Sequence, residues 1–269
     1  MVKIPLKWVG GKRKEIKFYK QWLEVEYNRY IEVFGGGLST LFYLNPKNKG
    51  IIINDLNEKL MQFYHDLAHN REQMIEELKT MENTPEFYYK MRDAFNGKIA
   101  LDSLDSSIFM YINKTCFSGM QRYNSKNEFN TPYGHYKTFH PWNFLTEEAS
   151  NLLKRATMMN DDFEEVFKQC KKGDLVFLDP PYLSTFSTYT IQKGTGKAEF
   201  TEEDHIRLHK CFVETEAKCL MVISDLGIIR ELYNGYIKEE YDKNYAINVK
   251  NRMKDVTEAR HLIIANYDI

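Results

Sequence analysis

Apolar residues gather into short, continuous runs at five places along the chain: Tyr30 to Phe34 (YIEVF), Gly50 to Asn54 (GIIIN), Asp174 to Leu178 (DLVFL), Cys219 to Ser224 (CLMVIS) and Leu262 to Tyr267 (LIIANY). Runs of four to six residues, rich in β-branched and aromatic side chains and bounded by turn residues or acids, predict buried strands. Amphipathic stretches such as Glu202 to Phe212 stand between some of them. Strands alternating with helices predict an α/β sheet. From Leu56 to about Asp162 the period changes: Leu56, Leu60, Tyr64, Leu67, Ile75 and Leu78 recur at helical spacing with no comparable strand among them. This segment is expected to be an inserted, mostly helical subdomain. Within it, Asn113 to Tyr136 is rich in Asn, Gly, Ser, Pro and aromatics, a composition suited to an irregular binding loop.

The chain has 269 residues, 43% hydrophobic and 28% charged, which excludes a disordered or collagen-like polymer. No apolar run approaches the ~18 residues of a membrane helix, and the first residues are too charged for a signal peptide. A cytosolic protein is expected, and its four cysteines, none in a CxxC pair, are expected to be free thiols. The formal net charge is −1, so a polyanion must be met by a local basic surface. Such a surface is at hand: from Ile112 to His140, Lys114, Arg122, Lys126 and Lys137 face only one acid, Glu128.

Two strings carry candidate chemistry. The first strand runs into Gly35, Gly36 and Gly37, which permit positive φ and close backbone approach, and the second strand ends about twenty residues later in Asp55. Glycines followed at that spacing by an acid point to a nucleoside-containing cofactor, although Asp55 alone could cap the helix that follows. No P-loop is present, because Gly196-Lys197 and Gly11-Lys12 both lack the upstream glycine. The second string, Asp179-Pro180-Pro181-Tyr182, closes the strand LVFL. Ligands of open α/β sheets bind beyond the carboxyl ends of the strands, so this string should face the glycine cleft. Two prolines hold the chain extended and leave only carbonyl acceptors. An amino group on a planar heterocycle can then donate to Asp179 and to the Pro180 carbonyl while its ring stacks on Tyr182. That geometry suits attack by the amino nitrogen on a methyl sulfonium, with no metal required. Two histidine pairs at helical spacing, His65 with His69 and His205 with His209, lack an evident third ligand, and no metal site is expected.

In the order glycine loop, recognition insert, DPPY, and in KWVGGK from Lys7 to Lys12, the chain resembles the Dam-type DNA adenine-N6 methyltransferases along nearly its whole length. The resemblance implies a Rossmann-like fold dependent on S-adenosylmethionine, formed by residues 1–55 and 163–269, with 56–162 as an inserted, mostly helical DNA-recognition subdomain. It implies that Trp8, Lys12, Phe34, Gly35, Gly36, Gly37, Asp55 and Asp179 hold S-adenosylmethionine, and that Asp179, Pro180 and Tyr182 carry catalysis. The loop FSGMQRYNSKNEFNTPYGHY is similar to the family's DNA-reading segment. By position it assigns Phe117, Ser118, Met120, Arg122, Asn124, Lys126, Asn130 and Pro132 to duplex DNA, and it makes GATC the first target to expect. Ser118 stands where the family often has Asn, Thr131 where it has Val, and VFGGG replaces the commoner PFxGxG. Transfer to cytosine N4 or to RNA, and a non-catalytic DNA-binding subunit of the same fold, remain alternatives. The oligomeric state is left open.

Overall fold

In a computed structural model, which describes residues 2–181, 191–193, 196–198, 200–244 and 258–269, a seven-stranded sheet forms the centre of the molecule. Its strands are β1 (Arg29–Glu32), β2 (Gly50–Asn54), β3 (Ala156–Met159), β4 (Leu175–Leu178), β7 (Lys218–Ser224), β8 (Ile237–Asn244) and β9 (Glu258–Ala265); a separate short pair, β5 (Ile191–Lys193) and β6 (Gly196–Ala198), is antiparallel. The order across the sheet is β3-β2-β1-β4-β7-β9-β8, parallel from β3 to β7, with β9 antiparallel to both its neighbours.

Continuous apolar runs follow from this arrangement, because a parallel strand is covered on both faces. In β4, Leu175 and Phe177 enter one core and Val176 and Leu178 the other; in β2, Ile51 and Ile53 oppose Ile52 in the same way. Each alternate residue therefore packs against a different helical layer, and none can be polar without losing core area.

The helices are α1 (Ile16–Leu23), α2 (Ser39–Leu44), α3 (Glu58–His69), α4 (Arg71–Thr80), α5 (Pro85–Phe95), α6 (Asp105–Thr115), α7 (Glu147–Leu153), α8 (Phe163–Phe167), α9 (Glu202–Glu214) and α10 (Gly227–Tyr233). Helices α3 to α7 lie between β2 and β3 in the chain, where helical periodicity runs. Asn57 caps α3 by accepting from the Leu60 N–H, and Thr84 caps α5 through Phe87 N–H, with Pro85 at its first turn. Thr201 and Asp204 form a reciprocal capping box on α9.

Three elements differ from the expectation. Strand β3 lies inside the stretch expected to hold no strand, and pairs with β2; its four residues ATMM are only partly covered at the sheet edge, so no apolar run marks it. Strand β8, IKEEYDKN, is the opposite edge, where charged side chains are tolerated because one flank meets solvent. The last strand starts at Glu258, before the apolar LIIANY run. No helix among the described residues is long and apolar enough to cross a membrane.

Candidate active site

The carboxyl ends of β1, β2 and β4 open into one cleft of about 290 Å³. Its lining includes Trp8, Lys12, Phe34, Gly35 to Gly37, Asp55, Asp179 and Pro180. The sheet order therefore brings together every residue expected at the cofactor, as well as two of the three expected in catalysis. Tyr182 lies outside the described residues, as does most of Leu183 to Phe200, expected from composition to be a mobile loop.

The glycine loop is built against a tryptophan. Gly36 has φ of 45°, and a Cβ there would stand 2.7 Å from Trp8 Nε1; a Cβ on Gly37 would stand 2.9 Å from Trp8 Cβ. Glycine is required here for packing and backbone conformation before any ligand is considered. Asp55 fastens the same loop, one oxygen accepting from the Gly36 N–H at 2.8 Å and the other from the Asn57 N–H at 2.8 Å. Tyr64 OH donates to the Gly36 carbonyl at 2.6 Å. The cap of α3 is thus Asn57, and Asp55 is left at the rim of the cleft. Burial pushes the Asp55 carboxyl above the ordinary aspartate range against the pull of those two N–H groups.

At the end of β4, Lys12 Nζ donates to Asp179 Oδ1 at 2.6 Å. Lys12 is 2% exposed and the Asp179 side chain 23%, so the acid keeps one side toward the cleft. Burial opposes both charges. It raises the Asp179 carboxyl above its ordinary value despite Lys12; for Lys12, Asp179 and Glu15 more than offset burial and hold the ammonium above the ordinary lysine value. Glu32, fully buried behind the loop, accepts from Tyr30 OH at 2.8 Å and the Leu41 N–H at 3.0 Å, and burial raises it to about 8.

Of the far wall, only Phe34 was expected from the sequence. Phe34, Phe163 and Phe200 form a triangle with ring centroids 5.7 to 5.9 Å apart, beside Asp161 and Asp162. Arg207 lies over the Phe163 ring and bridges to Asp162, Glu164 and Asp204. The available signal was the string Asp161-Asp162-Phe163, two acids and an aromatic one residue past a strand, but β3 had no pattern to reveal it.

The expected DNA-reading residues lie together on a hairpin beyond α6, held by isolated bridges between Cys116 and Tyr133 and between Tyr123 and Phe129. Phe117 is exposed, its N–H donating to the Pro132 carbonyl at 2.8 Å; Pro132 is exposed too. Ser118 has φ of 56°, a conformation in which Asn is far less strained than Ser, and its N–H donates to Tyr136 OH. The Met120 carbonyl accepts from the Thr131 hydroxyl. Arg122 donates to the Asn130 side chain and carbonyl at 2.7 and 3.0 Å. Asn124 accepts from the N–H groups of Lys126 and Glu128, which makes it a turn builder, with Lys126 exposed at the tip. Gly119, at φ of 66°, sits against Lys7, and Asn113 exchanges two hydrogen bonds with the Lys7 backbone, so the hairpin is anchored one residue from Trp8.

The rings of His65 and His69 lie 4.8 Å apart on α3, tilted at 48°, and His205 is fully buried; among the described residues no group of three or more His, Cys, Asp or Glu could hold a metal.

A largely parallel α/β sheet thus carries a glycine-cradled, acid-rimmed cleft at its strand ends, where ligands of such sheets bind. A family model for the D12 class of N6 adenine-specific DNA methyltransferases matches residues 8–253. The chain is 36% identical over 265 residues to the type II methyltransferase M.CviBI of Paramecium bursaria Chlorella virus NC1A, covering 97% of this chain and 98% of that protein. It is 35% identical over 297 residues to the type II methyltransferase M.MjaIII of Methanocaldococcus jannaschii, covering 99% of each. It is 30% identical over 264 residues to the DNA adenine methylase of Haemophilus influenzae, covering 93% of this chain and 90% of that one. The chain belongs to the D12 class of adenine-specific DNA methyltransferases.

Proposed function

We propose that the protein transfers a methyl group from S-adenosylmethionine to N6 of an adenine turned out of duplex DNA, with GATC as the first sequence to test. The observation that carries this reading is the Lys12–Asp179 pair at the mouth of a cleft that the glycine loop and Asp55 also line. The donor set suits a cation bearing a nucleoside: Asp55, Asp161 and Asp179 surround the cleft, and the three phenylalanines offer a slot for a planar base. Gly35 to Gly37, Trp8 and Lys12 would hold the methionine part, and Asp55 the ribose hydroxyls. When bound, S-adenosylmethionine supplies an electrophilic methyl group.

The chain's own work is orientation. Lys12 engages Asp179 Oδ1, and among the described residues Oδ2 has no hydrogen-bond partner, so Oδ2 is the oxygen offered to the adenine amino group. The Pro180 carbonyl is the second acceptor and Tyr182 the stacking surface. Holding both amino hydrogens aims the nitrogen lone pair; the methylated nitrogen becomes acidic, and a carboxylate raised by burial is suited to receive the proton it sheds. Because N6 is paired inside the duplex, the base must leave the stack at a cost of a few kcal/mol, which contacts from the hairpin offset. The helical segment within 56–162 that carries this hairpin is assigned to target recognition, 1–55 and 163–269 to the cofactor, and the enzyme to the cytosol, where DNA is at hand.

The test is transfer of labelled methyl from S-adenosylmethionine to unmethylated duplex DNA, followed by digestion to nucleosides. N6-methyladenine is expected, and Asp179→Ala abolishes the label. Label in cytosine, in RNA alone, or undiminished in Asp179→Ala refutes the reading.

A further inference from the structure

Behind Lys12 lies a second buried acid that the mechanism above does not use. Glu15 is 4% exposed, although it follows Lys12 by only three residues. Its carboxylate is gripped from two strands at once. From β8, Tyr241 OH donates at 2.7 Å and Lys243 Nζ approaches to 2.6 Å; from β9, His261 Nδ1 lies at 3.0 Å. Burial alone would raise the Glu15 carboxyl, but His261, Lys12 and Lys243 hold it down to about 2, so it is a fixed negative charge throughout the working range. His261 Nε2 lies 3.3 Å from Ser224 Oγ on β7, and burial keeps this imidazole below its ordinary value in spite of Glu15.

The strand order explains why these groups meet. Asp179 follows β4, and the neighbouring strands β7, β9 and β8 carry Ser224, His261 and Tyr241 in register with one another. The short helical turn Lys12–Lys14 lies across them, its first residue reaching Asp179 and the residue just past its end reaching β8 and β9. Charges therefore alternate through a buried row: Asp179, Lys12, Glu15, Lys243. A carboxylate this well anchored has no need of so many partners for stability alone, since an apolar residue would fill the space at lower cost. What an apolar residue would not supply is a negative charge behind the ammonium that holds the catalytic acid.

We propose that Glu15 is a positioning residue of the active site: clamped by Tyr241, Lys243 and His261, it orients Lys12 and sets the charge balance under which Asp179 accepts the adenine amino group. This rests on the functional reading above. Because its action is electrostatic, it makes opposite predictions for the two ends of the row. Among the described residues, the groups facing Lys12 and Asp179 are Glu15 and Tyr19 on the first helical segments, Glu32 on β1, Tyr241 and Lys243 on β8 and His261 on β9. Removing the Glu15 charge lets Lys12 stabilise the Asp179 carboxylate more strongly; removing the Lys243 charge does the reverse.

The experiment measures kcat against pH, and S-adenosylmethionine binding by calorimetry, for the full-length wild type, Glu15→Gln and Lys243→Met. In Glu15→Gln, kcat at neutral pH is expected to fall ~10-fold or more while cofactor affinity changes less than ~3-fold, the signature of an interaction that matters at the transition state. The acid limb of the profile moves to lower pH in Glu15→Gln and to higher pH in Lys243→Met. Limbs that stay put or move the same way in both variants, with activity lost only in step with thermal stability, overturn the proposal and leave the cluster a structural clamp. Should Glu15→Gln not fold, an unmoved limb in Lys243→Met is sufficient to sink it. A wild-type chain that binds cofactor but methylates no DNA removes the functional reading itself and this proposal with it, an outcome visible before any variant is made.

Discussion

The Lys12–Asp179 pair can be tested as a stability element apart from catalysis. Lys12→Met keeps the bulk of the side chain and deletes its charge, which leaves a carboxylate at the end of β4 with no cation 2.6 Å away. Breaking a buried pair from one side costs about 3–5 kcal/mol. With Asp179 still 23% exposed to the cleft, water recovers part of this, so a loss of about 3 kcal/mol is expected. Asp179→Asn strands the ammonium instead, but Glu15 still faces it, and the loss should be smaller, about 2 kcal/mol. The double variant removes both charges and recovers a coupling of about 2 kcal/mol. The pH dependence has a definite sign. With Lys12 gone, burial raises the folded-state pKa of Asp179 further above its unfolded value, so the folded variant binds the extra proton. Its deficit is therefore smallest at low pH and grows as pH rises through that raised value. Urea denaturation of the four proteins at pH 5.5 and 8 measures all of this. Single-variant losses that add within ~0.5 kcal/mol, or a Lys12→Met deficit equal at both pH values, refute the reasoning.

Other perturbations follow from the same geometry. Glu32, raised to about 8, keeps its proton in the folded state from its ordinary value of 4.5 upward, so wild-type stability should fall by up to ~1.4 kcal/mol per pH unit across that window. Glu32→Gln should flatten that slope, and an unchanged slope in denaturation experiments means the carboxyl is ionised. Gly36→Ala must either strain a residue at φ of 45° or push Trp8 aside, at a cost of more than ~2 kcal/mol and at least ~10-fold in S-adenosylmethionine affinity by calorimetry. Affinity and melting temperature at wild-type levels would show that the loop and Trp8 shift freely. Arg122→Ala should relax sequence choice if the guanidinium reads a base, or weaken binding to every sequence and lower the salt slope by about one if it grips a phosphate. Binding assays over a salt series on target and scrambled duplexes separate the two, and no change in either quantity removes Arg122 from the interface.

What could be read in the chain depended on where each residue's partners lie in sequence. GIIIN and LVFL are buried on both faces, and their apolar runs marked β2 and β4 to within a residue. The glycines, Asp55 and Asp179 were legible because each closes such a strand, and closing a strand of a parallel sheet is enough to reach the cleft. The edge strands were not legible: β8 is paired on one side only, and among its described side chains Tyr241 alone is buried. Phe163 and Phe200 reach Phe34 through the sheet order, which no local pattern states. Glu15 meets Tyr241 across 226 positions of the chain, and only the insertion of β9 between β7 and β8 brings His261 to the same carboxylate.

The basic segment KWVGGKRKE illustrates how nine residues can join parts of the molecule that share no other short connection. Lys7 is tied through its backbone to Asn113 at the foot of the hairpin, and Trp8 fills the space that the glycine loop leaves open. Lys12 reaches the acid after β4, and Glu15 reaches β8 and β9. Each anchor contacts a different element within nine residues of chain. A displacement at the foot of the hairpin would act first on Trp8 and on the glycine loop packed against it. The two glycines between Trp8 and Lys12 shape the turn that separates these anchors: Gly10 has φ of 80° and Gly11 donates to the Trp8 carbonyl at 3.2 Å. One short segment of backbone thus ties the foot of the hairpin, the glycine loop, the acid after β4 and the edge strands β8 and β9 to one another.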